Sequence, residues 1–352
     1  SIEGFAHFHE FQIGGVVTIP TTGELKTLPG TLEDPDSGYR SRIDKATEVS
    51  TPGYYAVTLT DYNIKAEITA TTRTGFHRYT FPQSTTSRIL FDIGHKQGES
   101  ATITDAEVTY HPETNEVTGW VENYPIYATF CQPDGKIKVF FAAKLDKKPQ
   151  TIGTFVDENI QENANTVKGP GCGLYLTFQT KANEQIQMQV GLSYTGIENA
   201  RNNRDTESAG KSFNDVKNAA RQTWNEMLGR IQVEGGTPED KTKFYTGLYH
   251  ALLGRGIAND INGQYIRHDK TIGQIPLDKN GIPLYSHHNT DGMWGGFWNL
   301  TQIWTLAYPE IFSSYIKSNL DFFENSGWLH DGEAAGVYTN GVQTNFQGLI
   351  IC

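Results

Sequence analysis

The feature that most constrains the fold is a change in the spacing of apolar residues near Ser212. From that point Phe213, Val216, Ala220 and Trp224 recur at intervals of three and four, which predicts a helix with one apolar face. Before that point, apolar residues alternate with polar ones or form short runs between turn residues. A single change of this kind predicts a β domain followed by an α domain.

The ends of the first two helices are also marked in the sequence. Ser212 is placed to cap the first helix at its N-terminus, and Gly229 is placed to end it. The second helix is predicted to begin at Thr237-Pro238, with threonine as the N-cap and proline at the first helical position. Near the end of the chain, residues 295–308 are predicted to form a helix, and Pro309 starts the next one.

Residues 1–208 are predicted to be nearly all strand. Residues 64–71 alternate apolar and polar side chains, which is the period of a half-buried strand. The stretch His111–Asn115 predicts a hairpin turn, and the polar residues 144–165 are interpreted as a long loop. Strands separated at regular intervals by Gly, Pro and Asn turns predict a large antiparallel β-sandwich.

The predicted domains follow from these patterns. Residues 1–208 form the β-sandwich domain, and residues 209–236 form a linker helix and connection. Residues 237–352 form the N-terminal part of an α/α toroid, because helix pairs with long loops between them repeat there. The fold class is therefore multidomain, with an N-terminal antiparallel β-sandwich followed by the first helices of an (α/α)6 barrel.

Charge and hydropathy narrow the possible partners. The 352 residues carry a formal net charge of −11, with no basic stripe, so nucleic acid is excluded as a partner. No apolar run reaches about 18 residues, so no membrane span is expected. The sequence does not determine the oligomeric state.

The cysteines and histidines leave alternatives open. Cys131 and Cys172 either pair or remain separate buried thiols. The small number of cysteines, with abundant Asn, Thr and Gly, suits an extracytoplasmic bacterial protein, periplasmic or secreted. His7 and His9 lie two apart, so an extended strand places them on one side as a possible metal pair, with no third ligand assigned. A structural histidine is the alternative for His7. His287 and His288 are adjacent, which suits a pair of ligands poorly.

Several motifs, taken in order, resemble glycoside hydrolase family 92, the calcium-dependent exo-α-mannosidases. The segment Gly4-Phe5-Ala6-His7-Phe8-His9 resembles the family's Gly-Phe-Ser-His-Thr-His. The stretches that follow in family order are Tyr39–Arg42, Pro52–Tyr55, Thr71–Pro82, Ile93–His95, Gly191–Tyr194, Trp224-Asn225, Gly235–Thr237, Phe244–His250 and Ser326–Leu329 with Glu333. The resemblance covers almost the whole chain.

The resemblance implies a β-sandwich joined to an (α/α)6 barrel, with the site between them. It also implies calcium as a cofactor and a mannose-containing glycan as the substrate, although no calcium ligand is assigned in this chain. The family's catalytic acid lies in a Glu-Gly-Asn segment and its base in an Asn-Asp-Asp-Leu-Gly type of segment, and neither occurs here. The chain is therefore expected to be an incomplete copy without its own catalytic pair, and to be inactive alone.

One stretch departs from the family pattern. The family has Trp-Asp-Thr-Phe/Tyr-Arg, whereas this chain has Trp298-Asn299-Leu300-Thr301-Gln302. The change from Asp and Arg to Asn299 and Gln302 removes a charge-assisted contact, because both amides are neutral. This change is expected to bear on the sugar specificity and on the activity.

Five residues are predicted to bind the substrate. They are His7, Trp298, Asn299, Gln302 and Glu333. An indole suits the face of a sugar, and positions three apart on a helix address the same ligand. Glu333 is either a sugar contact in a Gly-rich loop or a charge at a helix N-terminus. His7, Trp298, Asn299 and Glu333 are expected to converge on one concave surface.

Two functions of different classes remain. The first is an exo-acting α-mannosidase-like hydrolase that inverts the anomeric centre with the aid of calcium. The second is a glycan-binding or inactive relic of the same fold, suggested by the absent carboxylates and by Asn299 and Gln302. The downstream coding sequence distinguishes the two.

Overall fold

The computed structural model of the protein describes residues 1–7, 13–98, 101–253, 256–289, 293–339 and 346–351. The chain divides into two units. The first contains Ser1–Tyr124 and Lys138–Arg221, and the second contains Pro125–Ile137 and Gln222–Cys352. His9, which the sequence pairs with His7 as a possible metal ligand, lies outside the described residues.

The first unit is built from strands and two helices. The strands are β1 (Phe5–Ala6), β2 (Val17–Thr21), β3 (Ile43–Thr51), β4 (Tyr54–Leu59), β5 (Ile64–Ala70), β6 (Thr74–Phe81), β7 (Ser84–Asp92), β8 (Thr102–His111), β9 (Glu116–Tyr124), β10 (Ile137–Leu145), β11 (Thr151–Val156), β12 (Asn159–Glu162), β13 (Thr166–Lys168), β14 (Cys172–Thr180) and β15 (Glu184–Ser193). The helical segments up to residue 228 are α1 (Ala128–Cys131), α2 (Ile197–Ser208) and α3 (Phe213–Leu228). Of these, α1 belongs to the second unit, and α3 begins in the first unit and continues into the second from Gln222.

These strands form the predicted antiparallel β-sandwich. One sheet has six strands in the order β1-β2-β7-β14-β11-β12, and the other has nine in the order β13-β8-β9-β10-β15-β6-β5-β4-β3. Side chains from both sheets meet in the core, where the rings of Phe91 and Phe141 stack with centroids 6.1 Å apart. Thr18 and Tyr79 also join the sheets through a hydrogen bond of 3.2 Å between their hydroxyl groups. The fold class is confirmed.

The interpretation of residues 144–165 as a long loop was wrong. This stretch contains the end of β10 and the hairpin formed by β11 and β12, in which Phe155 lies opposite Ile160. Its turn is made by Asp157, whose φ of 51° is a left-handed conformation that aspartate tolerates. The strand β12 is exposed along its length, so it lacks the apolar alternation that marks a half-buried strand.

The expectation that residues 1–208 are nearly all strand was wrong at the end of that range. Residues 197–208 form α2, which packs against β15. The segment has few apolar residues, so its helical period is weak, and ion pairs to Glu116 hold it on the sheet. Residues 50–95 contain no helix among their described positions, as expected.

The helix starts predicted from the sequence are confirmed. α3 begins at Phe213, and the backbone N–H of Ser212 donates to Asp215 Oδ2 at 2.9 Å while the Ser212 hydroxyl accepts from the Asp215 N–H. α3 ends at Leu228, directly before Gly229. α4 (Pro238–Leu252) begins with a capping box in which Thr237 and Asp240 satisfy each other's backbone N–H.

The second unit continues with small hairpins and helices. Its remaining elements are β16 (Gln264–Ile266), β17 (Ile272–Gln274), α5 (Met293–Gly296), α6 (Leu300–Ala307), α7 (Pro309–Ser326), β18 (Gly332–Ala334), β19 (Val337–Thr339) and α8 (Phe346–Ile351). The single helix predicted over 295–308 is therefore divided. Asn299, with φ −155°, separates α5 from α6, while Pro309 starts α7 as predicted.

The helical unit has its own apolar core. Its buried members are Leu248, Trp304, Tyr308, Tyr315 and Ile350. The polar atoms of two of these rings are satisfied, since Trp304 Nε1 donates to Ala251 O at 3.1 Å and Tyr308 Oη donates to Met227 O at 2.9 Å. Across the described ranges, no helix is long and apolar enough to cross a membrane.

The segment Pro125–Ile137 lies between two strands of the sandwich but packs with the helical unit. Its helix α1 contacts β19, and the Tyr338 N–H donates to Gln132 Oε1 at 3.1 Å. Cys131 in this segment and Cys172 in β14 are not joined by a disulfide, so the two cysteines are separate, and of the two Cys172 is buried whereas Cys131 is partly exposed. Cys352 lies outside the described residues.

Candidate functional site

His7 follows β1 and is held by the neighbouring chain segment. Its Nδ1 lies 2.7 Å from Val16 O, so Nδ1 carries the proton and donates, and Nε2 keeps its lone pair. Nε2 is buried with no hydrogen-bond partner among the described residues. Burial lowers the pKa of His7 to about 4, although the hydrogen bond to Val16 opposes the shift. The imidazole is therefore a neutral acceptor at neutral pH.

A second histidine lies beside it that the sequence interpretation missed. The ring centroids of His7 and His77 are 4.5 Å apart, and His77 Nδ1 lies 2.8 Å from Tyr79 Oη. Burial holds the pKa of His77 well below its ordinary value, so both rings are neutral. The signal was present in β6, where alternation places His77 and Tyr79 on one face.

The three predicted residues around α6 are exposed. Trp298 is 71% exposed, and Asn299 precedes α6 without a side-chain capping bond. Gln302 turns toward the start of its own helix, because its Nε2 donates to Phe297 O at 3.2 Å. In the described ranges none of the three forms a hydrogen bond, ion pair or ring contact with Glu333.

Glu333 is buried and lies on a strand. It belongs to β18, where it pairs with Tyr338 of β19, and not to an open loop. Its side chain is 2% exposed, with Oε1 accepting the Gly336 N–H at 2.5 Å and Oε2 3.9 Å from His287 Nε2. Neither a loop contact nor a helix N-terminal charge describes this position. Burial raises the pKa of Glu333, although His287, the Gly336 N–H and Lys270 oppose the shift.

Glu333 belongs to a group of polar side chains that we call the histidine–glutamate cluster. Its members are Glu333, His287, Asp321, Tyr265 and Tyr285. The rings of His287 and Tyr265 stack with centroids 4.1 Å apart, and His287 Nδ1 lies 3.7 Å from Asp321 Oδ2. The Tyr285 hydroxyl lies 2.8 Å and 2.9 Å from the two Asp321 oxygens, so it donates to that carboxylate. The cluster joins β16, α7, β18 and the loop before α5.

Other titratable groups surround this cluster. Burial, opposed by a hydrogen bond with the Gly332 backbone and reinforced by His268 and His287, lowers the pKa of His330 to about 3. Burial lowers the pKa of Lys270 to about 8, which Glu333 opposes, and Lys270 Nζ donates to Lys136 O at 3.2 Å. Such concentrated perturbation of pKa values is typical of functional sites, although structural networks produce it as well.

In the ranges that the structure covers, no three His, Cys, Asp or Glu side chains are arranged to hold a metal ion. The histidine–glutamate cluster has two carboxylates, but the imidazole between them keeps them apart. The described residues therefore offer no cluster of three such side chains to a calcium ion, which takes six to eight oxygen ligands.

The two parts of the chain match the two domains of one family. Residues 1–193 match the profile described as Glycosyl hydrolase family 92 N-terminal domain, and residues 199–351 match the profile of the family 92 catalytic domain. The chain belongs to glycosyl hydrolase family 92. No curated protein sequence matches it.

Solved structures of the family have the same fold. The family GH92 alpha-mannosidase BT3965 from Bacteroides thetaiotaomicron is 27% identical with a TM-score of 0.83, and the match covers 94% of this chain and 43% of that one. The same enzyme has been solved in complex with mannoimidazole. The inverting mannosidase BT2199 from the same organism is 21% identical with a TM-score of 0.73, and the match covers 90% of this chain and 39% of that one. The chain spans less than half the length of these family 92 proteins.

The sequence motifs pointed to Glu333 but not to the other members of the cluster. Asp321, Tyr265 and Tyr285 were not singled out from the sequence, and His287 was considered only together with the adjacent His288, because their segments have no periodic pattern that brings them together. The one available signal was composition, since histidine and asparagine accumulate in residues 256–289. The convergence of His7 with Trp298, Asn299 and Glu333 on one surface stays a prediction.

Proposed function

We propose that this chain belongs to an exo-acting α-mannosidase of family 92 that releases mannose from glycans. The observation that carries the proposal is the match over 94% of the chain to a solved alpha-mannosidase at 27% identity and a TM-score of 0.83. The complex of that enzyme with mannoimidazole supports a mannose-type ligand. Trp298, exposed and aromatic, is a platform for a sugar ring, and His7 Nε2 is an acceptor for a hydroxyl.

The proposed reaction is a single displacement with inversion. One carboxylic acid protonates the leaving oxygen while a carboxylate activates water on the opposite face of the sugar. We assign neither role to a residue of this chain. The role of His7, Trp298, Asn299, Gln302 and Glu333 is to bind and orient the terminal mannose, which requires neutral donors and acceptors around its hydroxyl groups.

The test uses the protein at the length of its family relatives and α-linked mannobioses as substrates. Proton NMR identifies the anomer of mannose that is released first. Release of β-mannose supports an inverting α-mannosidase. Release of α-mannose contradicts the inverting mechanism, and no release contradicts the mannosidase proposal.

Calcium dependence is a separate part of the proposal and rests on the family resemblance. Dialysis against a chelator is expected to abolish mannose release, and added calcium is expected to restore it. Full activity after chelation contradicts the calcium requirement without affecting the assignment of the substrate.

A second function is favoured by the residues around α6. Asn299 and Gln302 replace a charged pair of the family pattern, and the Gln302 amide contacts its own backbone. In this second function, the protein binds glycans without hydrolysing them. Tight binding of mannosides with no product after long incubation supports it, whereas turnover excludes it.

We also propose that the protein acts outside the cytoplasm, in the periplasm or as a secreted protein. The support is compositional: three cysteines in 352 residues and 12% aromatic residues, together with abundant Asn, Thr and Gly. Fractionation of the native host, followed by detection with an antibody, tests the proposal. Recovery in the cytoplasmic fraction contradicts it.

A further inference from the structure

We propose that His95 is a pH-sensitive clasp that ties the turn of the β11–β12 hairpin to the end of β7. The clasp is closed while both nitrogens of the imidazole carry protons, and it opens at Asp157 when Nε2 loses its proton. Ile93–His95 is one of the family motifs, but the motif alone gives its histidine no role. The inference concerns the β-sandwich unit and does not depend on the proposed function.

Both ring nitrogens of His95 face carboxylate oxygens at hydrogen-bond distance. Nδ1 lies 2.7 Å from Asp92 Oδ2, and Nε2 lies 3.2 Å from Asp157 Oδ1. An ionised carboxylate only accepts hydrogen bonds, so each ring nitrogen needs a proton to make its bond. A neutral imidazole carries one proton and satisfies one of the two contacts, whereas the imidazolium satisfies both. The geometry therefore fits the doubly protonated ring.

The two carboxylates differ in how they respond when His95 loses a proton. The Asp92 side chain is 1% exposed, and its oxygens also accept the Tyr39 hydroxyl at 2.5 Å and the His95 backbone N–H at 3.2 Å. The Asp157 side chain is 63% exposed, so water hydrates its carboxylate when the imidazole no longer donates. A buried acceptor that loses its donor costs more than an exposed one. The proton on Nε2 therefore leaves first, and Nδ1 keeps its bond to Asp92.

The backbone around Asp157 holds its carboxylate beside His95. The Asp157 N–H donates to Gly171 O at 2.9 Å, and the Asp157 carbonyl accepts the Thr27 hydroxyl at 2.6 Å. A Cβ on Gly171 would collide with Asp157 Oδ1, so the glycine leaves the space that this carboxylate occupies. These backbone bonds do not titrate, so an open clasp loosens the turn without detaching it.

The strand that follows the turn is the part of the hairpin that the clasp restrains. β12 is exposed along its length, so it buries little apolar surface and depends on its hydrogen bonds to β11. A segment with few buried contacts opens locally at low cost in free energy, and a fixed turn raises that cost. Opening of the clasp is therefore expected to expose the β12 amides to solvent more often.

The direction of the His95 pKa agrees with this geometry. Burial lowers it, but the hydrogen bonds and charges of Asp92 and Asp157 outweigh burial, so the pKa of His95 is raised. An unfolded histidine has a pKa of about 6.5. The clasp therefore adds stability that is fully present below pH 6.5 and is lost as pH rises through the folded pKa.

The other titratable groups near the clasp do not reverse this result. Burial and the charge of Asp92 raise the pKa of Tyr39, so its hydroxyl keeps the proton that it donates. Burial raises the pKa of the Cys172 thiol to about 12, so the thiol is neutral as well. Lys96 and Glu158 are next to the clasp along the chain, and both are exposed, so water and salt screen their charges.

The first experiment follows the protons of His95 in the unmodified protein. Two-bond proton–nitrogen NMR spectra of 15N-histidine-labelled protein report the protonation of each ring nitrogen as pH is varied, with the signals assigned through His95→Gln. We expect protons on both nitrogens at low pH, a pKa above about 6.5, and loss of the Nε2 proton alone as pH rises. A pKa at or below that value, or loss of the Nδ1 proton first, overturns the proposal.

The second experiment removes the charge of the exposed partner. Asparagine tolerates the left-handed backbone of this turn, so Asp157→Asn keeps the hairpin and removes only the carboxylate. The pKa of His95 is expected to fall by about 0.5, the effect of an exposed ion pair. Glu158→Gln is the matched control, because Glu158 is the next residue in the same turn and is exposed. The same pKa of His95 in both variants overturns the role of Asp157.

The third experiment measures whether the clasp restrains the hairpin. Hydrogen exchange of the β12 amides is measured across the pH range of the His95 titration, and each rate is divided by the intrinsic rate of an unstructured amide at the same pH. We expect the protection of these amides to fall as pH rises through the pKa of His95, and to be low at every pH in His95→Gln. Protection that does not change with pH in the unmodified protein overturns the proposal.

Discussion

Arg204 Nη1 donates to Glu116 Oε1 at 2.5 Å, and the two side chains are only 4% and 5% exposed. Arg201 binds the same carboxylate, with Nη2 2.9 Å from Oε2. Glu116 lies at the start of β9 and the two arginines lie on α2, so one buried carboxylate fixes a polar helix to the sheet. The arginine hydrogen bonds lower the pKa of Glu116 although burial opposes the shift.

Replacement of Glu116 is expected to destabilise the sandwich. In Glu116→Gln, Arg204 loses its buried counter-ion and keeps the pair with Asp205, which is 60% exposed. The loss is expected to cost about 3 kcal/mol in the free energy of unfolding. Urea unfolding followed by circular dichroism measures the change. Glu198→Gln is the matched control, because Glu198 binds Arg201 but is 87% exposed, and its loss is expected to cost less than about 1 kcal/mol. Equal costs for the two variants contradict the prediction.

Acid stability is expected to depend on Glu67. Burial opposes the shift, but hydrogen bonds from Arg78 and Tyr54 hold the pKa of Glu67 at about 2. A folded pKa below the unfolded value of about 4.3 adds stability above pH 4.3 that is lost as pH falls toward 2, on the order of 3 kcal/mol. In Glu67→Gln, the free energy of unfolding at pH 6 is expected to fall by that amount. The further loss of stability below pH 4.3 is expected to be smaller in the variant than in the wild type. Parallel pH profiles of variant and wild type disprove this role.

The cap of α4 is expected to contribute about 1 kcal/mol. Thr237 accepts the Asp240 N–H through its hydroxyl, and in Thr237→Ala that N–H loses its partner. Thermal unfolding at neutral pH measures the loss. Thr242→Ala is the control within the same helix, since the Thr242 hydroxyl donates to the Pro238 carbonyl and caps no free N–H. A control as destabilising as Thr237→Ala argues against the capping assignment.

Replacement of the two tryptophans near α6 by alanine is expected to change the stability of the protein by very different amounts. Trp298 is 71% exposed, so Trp298→Ala is expected to change stability by less than about 0.5 kcal/mol and to weaken binding of methyl α-mannoside. Trp304 is 1% exposed, and Trp304→Ala is expected to cost about 3 to 5 kcal/mol. Calorimetric titration and unfolding are measured on both variants. Unchanged mannoside binding in Trp298→Ala removes that residue from the proposed site.

Much of the fold was predictable because its signals are local. The N-caps at Ser212 and Thr237 and the proline at position 309 set the starts of three helices, and each depends on contacts within one turn. The hairpin at residues 111–115 is equally local. Where local signals were weak, the prediction was wrong, as for the exposed strand β12 and for the polar helix α2, whose stability comes from the distant Glu116.

The sequence by itself determined the order of a β-sandwich and a helical domain, the family, and five predicted sugar-binding residues. These conclusions need only periodicity and ordered motifs, which are properties of neighbouring residues. Only the tertiary structure decided that Glu333 is buried on a strand, that His287 lies between it and Asp321, and that His77 lies against His7. The reason is that burial and charge coupling depend on distances between residues far apart in the chain, and no local pattern in a single sequence records those distances.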